Sequence, residues 1–245
     1  MSGHSKWSTI KHKKATTDLR RGKLFSKILK EITVAARMGG GDPKGNPRLR
    51  TALLDARSNS VPGDNIDRAI KKGTGELEGE TYDEVIYEGY GTGGVAVLVE
   101  AATDNRNRTT AEVRHLFNRH GGSLAEAGSV AWMFKRRGWF SIERGAMSEE
   151  QVMDLALELG VDDISVEEDR YEMYTALEDF ITVQETLEAR EVPLAAKELA
   201  MIPQTTIEIP AARANQILRL LEALEDHDDV QKVWANLDID ESVVA

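Results

Sequence analysis

Ile164-Ser165-Val166-Glu167-Glu168-Asp169-Arg170-Tyr171-Glu172-Met173-Tyr174-Thr175 alternates apolar and polar residues on both sides of an acidic run. Alternation of period two marks strands, and the polar run between them marks a turn, so the stretch reads as a hairpin. Working outward, residues 148–159 carry Val152, Leu155, Ala156 and Leu159 at helical spacing, and residues 139–143 before them form a strand. On the other side, residues 180–190 form a helix through Ile181, Val183 and Leu187, leading to a strand near Ala196–Met201. Residues 139–202 therefore read β-α-β-β-α-β, the ferredoxin-like order.

The flanks read as halves of a second such unit. Before the first unit come a strand at 94–102, a helix through Val113, Leu116 and Phe117, and a strand through Val130, Trp132 and Phe134. After it come a strand at Thr205–Ile209, a helix at 211–226 and a strand at 230–238. The chain is thus expected to be α+β, with two ferredoxin-like units, one inserted in the other. Residues 81–135 with 204–245 would form the outer domain and 136–203 the inserted one. Gly89-Tyr90-Gly91-Thr92-Gly93-Gly94 matches G-x-G-x-x-G. A β-branched run follows it where a dinucleotide site needs a helix, so the glycines are expected to turn a hairpin.

Residues 1–80 are different in kind. A helix capped near Thr16-Thr17-Asp18 runs to Met38 and stops at Gly39-Gly40-Gly41. Asn46-Pro47 opens a second helix, and Pro62-Gly63-Asp64 opens a third that ends at Gly73. Along the first helix Leu24, Phe25, Ile28, Leu29, Ile32, Ala35 and Ala36 share one arc. Arg20, Lys23, Lys27, Lys30 and Arg37 share the opposite one. The fold expectation is an N-terminal three-helix basic bundle ahead of the two α+β units.

Charge follows the same division. Of 31 Lys+Arg and 42 Asp+Glu in 245 residues, the first 72 residues hold 17 and 6, a net of +11, and the remainder carry −22. A basic head suits a polyanion, and an acidic body suits a basic protein partner or solubility alone. The candidate nucleic-acid contacts are Lys6, Trp7, Lys11, Lys13 and Lys14 on an N-terminal arm, Arg20, Arg21, Lys23, Lys27 and Lys30 on the first helix, and Arg106 and Arg108. Lysines spaced along one helix face match phosphate oxygens whatever the base sequence. Trp7 could stack on a base or pin its own segment. Arg106 and Arg108 beside a helix start could hold an anion, or could be solvated beside an Asp104 or Asn105 cap.

Other chemistry is not visible. The chain has no cysteine, which excludes disulfides, thiolate catalysis and Cys-ligated metals. The five histidines are scattered, and neither H-E-x-x-H nor a phosphate loop occurs. Glu225-Asp226-His227-Asp228-Asp229 has a metal-like composition but falls where a helix should end, so a solvated turn is expected. The expectation is no enzyme activity, no cofactor, no metal and no membrane partner. No apolar run approaches the ~18 residues of a membrane span, and no apolar stretch follows the N-terminal charges, so the expected compartment is the cytoplasm.

Several strings resemble the YebC family: Gly3-His4-Ser5-Lys6-Trp7, Arg21-Gly22-Lys23-Leu24-Phe25-Ser26-Lys27, Gly39-Gly40-Gly41-Asp42-Pro43 and Asn46-Pro47-Arg48-Leu49-Arg50. So do Arg68-Ala69-Ile70-Lys71-Lys72-Gly73, Tyr87-Glu88-Gly89-Tyr90-Gly91, Thr103-Asp104-Asn105-Arg106-Asn107-Arg108-Thr109 and Met201-Ile202-Pro203. At Ser60-Val61-Pro62-Gly63 the family more often has Asn-Met-Pro and then a basic residue. The resemblance implies a three-domain cytoplasmic protein acting on nucleic acid. One implied role is a DNA-binding transcriptional regulator. The other is a ribosome-associated translation factor on rRNA that helps at proline runs. A third reading from the residues alone is an adaptor whose acidic body holds a protein partner.

Overall fold

Residues 18–239 are described by the computed structural model. In chain order the elements are α1 (Asp18–Gly39), α2 (Pro47–Ser58), α3 (Gly63–Thr74), β1 (Asp83–Tyr90), β2 (Ala96–Thr103), α4 (Arg106–Arg119), β3 (Ser123–Leu124), β4 (Phe134–Glu143), α5 (Glu149–Leu159), β5 (Asp163–Val166), β6 (Arg170–Thr175), α6 (Phe180–Ala189), β7 (Leu194–Pro203), β8 (Ile207–Glu208), α7 (Ala211–Glu225), β9 (Val230–Ala235) and β10 (Leu237–Asp238). The fold is α+β, helices first and sheets after. Residues 133–206 form one compact unit, and the described residues on either side form the other.

The three helices close on their own core of Ile28, Ile32, Ala35, Leu49, Ala52, Ala56 and Ala69. Buried Asn46 caps α2 by accepting the Leu49 N–H at 3.1 Å. Its amide donates to the Ala35 and Gly40 carbonyls, so the cap also fixes where α1 ends. Gly73, expected to stop α3, lies inside it. A Cβ there would meet the Thr33 carbonyl oxygen and the Ala36 Cβ, so the glycine lets α3 approach α1 closely. Gly75, at φ 81°, ends the helix instead.

In the same unit, β1 and β2 form the hairpin expected around Gly89–Gly94, paired Asp83 to Thr103. The sheet order is β3-β1-β2-β9, antiparallel throughout. Val85, Tyr87, Val97, Val99 and Val233 face α4 and α7, which supply Val113, Phe117, Ile217 and Leu221. Leu98 and Trp234 point the other way and are still buried. Helix α1 lies against β2 and β9, and its own Val34 is buried.

Two strands differ from the expectation. Residues 130–134 are not a strand: 131–133 make a 3₁₀ turn, and the Val130 and Ala131 N–H groups donate to the buried Glu88 carboxylate at 2.6 and 2.8 Å. Those donors are spent on a side chain, so no ladder forms. The strand expected at 205–209 shrinks to β8, which pairs in parallel with β10 outside the main sheet. Its place beside β2 is filled by β1.

The inserted unit runs β-α-β-β-α-β with sheet order β5-β6-β4-β7, that is second, third, first, fourth. This is the ferredoxin-like arrangement. Strand β4 runs unbroken from Phe134 to Glu143, joining Phe134 to the strand expected at 139–143. Ser148 and Gln151 form a reciprocal capping box at the start of α5. Phe140, Ile142, Met173, Val152, Phe180 and Leu187 fill the space between sheet and helices.

Candidate nucleic-acid interface

The ridge lysines on α1 turn toward the body: Lys27 and Lys30 are shielded, and Lys23 stays partly exposed at the edge. Lys23 donates to the Asp226 carbonyl at 2.9 Å, Lys27 to the Glu225 carbonyl at 2.5 Å and Lys30 to the Asp228 carbonyl at 3.0 Å. These carbonyls belong to the C-terminal end of α7 and the turn after it. A helix end leaves carbonyls without intrahelical partners and carries partial negative charge, so lysines are favoured there. Spaced four and three residues apart on one face, the three lysines reach three different carbonyls of this short stretch. The acidic run 225–229, expected to be a solvated turn, is instead where α1 docks.

Asp229 is the centre of the contact and is buried. Its Oδ1 accepts from Lys30 at 2.8 Å. Its Oδ2 accepts from Arg108 at 2.7 Å, from Thr109 at 2.8 Å and from Thr103 at 3.3 Å. Burial alone would raise this carboxyl, but the bonds from Lys30, Arg108 and Thr109 outweigh it and hold the group far below the usual carboxylate range. The Thr103–Thr109 string is thereby accounted for. Asn105 caps α4 by accepting the Arg108 N–H at 3.1 Å, and the two threonines and Arg108 grip Asp229. Neither reading of Arg108, anion site or solvated side chain, named these partners: besides Asp229 it pairs with Asp104 at 2.8 Å.

Arg48 makes a second bridge. Its guanidinium bonds both oxygens of Glu31 on α1, at 2.7 and 2.9 Å, and both of Glu84 on β1, at 2.9 and 2.6 Å. Arg37 adds a bond to the Tyr82 carbonyl. An open cleft of about 810 Å³ lies beside the contact, lined by Lys23, Lys30, Tyr82, Arg108, His115 and Asp226 among others. Tyr82 donates to Glu80, and burial followed by that bond pushes its phenol up to about 12.

Glu112, His227 and Asp229 stand within 4.8 Å of one another, close enough to suggest a metal. Their hydrogen bonds assign them otherwise. The His227 Nδ1 accepts the Asp229 N–H at 3.1 Å, which leaves the proton on Nε2, facing Glu112 at 2.9 Å. Both Asp229 oxygens already hold cations or hydroxyls.

Among the candidate contacts, Lys6, Trp7, Lys11, Lys13 and Lys14 lie outside the described residues, and Arg20 and Arg21 fall in the first turn of α1. Lys23, Lys27, Lys30 and Arg108 come together around residues 225–229. Arg106 is exposed at the start of α4 and stands apart from them. Sequence reasoning missed the partner, Asp229. The available signal was an acidic run closing a helix, in a chain whose one long basic helix lacked an acidic face.

The model of the TACO1/YebC protein N-terminal domain matches residues 5–76, and that of the TACO1/YebC second and third domain matches residues 82–237. The chain belongs to the TACO1/YebC family. Family members from Syntrophobacter fumaroxidans and Chloroherpeton thalassium are 54% and 55% identical to it, each over the whole of this chain and 98% of the relative. Both are named probable transcriptional regulatory proteins. Among solved TACO1/YebC-like structures, a conserved hypothetical protein from Aquifex aeolicus is 49% identical, with a TM-score of 0.86 over 96% of this chain and 98% of that one. No described helix is long and apolar enough to cross a membrane.

Proposed function

We propose that this protein is a non-enzymatic, cytoplasmic, nucleic-acid-binding regulator of gene expression, acting on DNA as a transcriptional regulator. The observation that carries this is the segregation of charge, +11 in the first 72 residues against −22 in the rest. A cationic domain on an acidic body is steered to a polyanion by one end only. The names of the relatives point the same way.

A second reading, a ribosome-associated factor on rRNA, is favoured by one structural fact. Reading base edges in a duplex takes a helix or ribbon seated in the major groove. The long basic helix α1 has its ridge lysines on α7, whereas irregular RNA is recognised by shape and backbone and does not require such a helix. Crosslinking in living cells by ultraviolet light, followed by sequencing of the attached nucleic acid, separates the two. Promoter DNA is the outcome expected of a transcriptional regulator. Accumulation at a few rRNA sites would replace that reading with the second. Absence of crosslinked nucleic acid would overturn both and leave the acidic body as the part to study.

A further inference from the structure

Apart from Lys44 on the α1–α2 loop and Arg50 on α2, the described cations of the head fall into two sets. Lys23, Lys27, Lys30, Arg37 and Arg48 all bond to the body of the same unit. Arg57, Arg68, Lys71 and Lys72 are exposed and make no ion pair among the described residues. Three of these lie on α3 at positions i, i+3 and i+4, which places them on one face of the helix. The other face, Ile66, Ala69 and Ile70, packs into the head core. Gly73 holds α3 tightly against α1, so the exposed face stands on a rigid support.

We infer that the phosphate-contacting surface of the head is the Arg68, Lys71 and Lys72 face of α3, and that the α1 ridge serves the interior. The inference rests on the nucleic-acid reading above and locates it. Arg68 and Lys72, four residues apart on one helix, repel each other, and among the described residues no carboxylate pairs with either. The helix dipole accounts for Lys71 and Lys72 in the last turn. It does not account for Arg68, a turn earlier. A phosphate backbone would satisfy all three, because it presents charge at intervals and asks only for cations that reach it.

The test is fluorescence anisotropy of the full chain with a labelled DNA duplex and a labelled RNA stem-loop, each across a salt series. R68Q/K71Q/K72Q should melt as the wild type does, because the three side chains are exposed and unpaired. It should also flatten the slope of log affinity against log salt by about 2 to 3, at roughly 0.7–0.9 per phosphate contact. K23Q/K27Q should leave the slope unchanged. The single variant R68Q should remove roughly 0.7–0.9 of slope by itself. Unchanged slopes in the α3 variants, with salt-dependent binding intact, would overturn this inference and spare the proposed function. A wild-type chain that binds neither probe at low salt would overturn both.

Discussion

Asp229 shows how much one carboxylate can organise. It is buried, and its oxygens take bonds from α1, from the end of β2 and from the first turn of α4. Asp229→Asn keeps the shape but turns an N–H₂ group toward donors that need an acceptor. Breaking a buried charged pair by removing one partner costs several kcal/mol. Here Arg108 reaches solvent and Lys30 keeps its bond to the Asp228 carbonyl, so the expected loss is nearer about 2 kcal/mol, a Tm lower by roughly 4–8 °C. The pH dependence has a definite sign. The folded carboxyl titrates far below its unfolded value near ~3.9, so its contribution is complete above that value and is lost as pH falls through the range beneath it. Urea titrations from neutral pH downward should show the wild type losing stability below about pH 4, with a shallower decline in the variant. Parallel acid limbs in the two proteins would mean that Asp229 is not held by its cations.

At the scale of elements, packing distance decides which glycines can change. Gly73→Ala adds a methyl group where α3 meets the backbone of α1 at Thr33 and the side chain of Ala36. Alanine favours the helix by up to about 1 kcal/mol, but forcing two helices apart costs about 1–3 kcal/mol, so a net loss is expected. Gly63→Ala, at the start of the same helix, meets nothing within 4 Å and should be neutral or stabilising by about 0.4–1 kcal/mol. Thermal melts of the pair check this, and equal behaviour would show that the α1–α3 approach is soft. The sequence read α3 and its neighbours well because each carries its own periodicity and a Pro or Gly near its ends. The inserted unit was legible for the same reason. What escaped was set by distant partners. Residues 135–137 are charged and fall between the two expected strands. Yet this end of β4 pairs only with β7, since its pairing with β6 starts at Gly138, so Lys135 and Arg136 stay exposed. Val130 looked like strand, and a carboxylate forty-two residues earlier takes its N–H. The candidate ridge was read correctly as a face, but what that face meets depends on α7, whose end is more than 190 residues away.

Over the whole molecule, two electrostatic contacts should separate by salt. The clasp of α1 on α7 is largely shielded, with the Lys27 and Lys30 side chains only 14% and 17% exposed. Shielded pairs are screened far less than surface charges, whose interactions fade beyond about 10 Å at 0.1 M salt. Binding to a polyanion has the opposite character, because each phosphate contact releases counterions. Raising salt from about 0.05 to 0.5 M should therefore strip nucleic acid from the protein while moving its urea midpoint little. Lys27→Glu with Lys30→Glu inverts the contrast. It sets carboxylates against the Glu225 and Asp228 carbonyls and the Asp229 carboxylate, leaving buried like charges together. The expected loss is at least about 3 kcal/mol, only partly restored by salt. If the double variant instead kept wild-type stability and lost only its affinity for nucleic acid, the α1 ridge would be the binding surface after all. The clasp would then be a contact that binding opens.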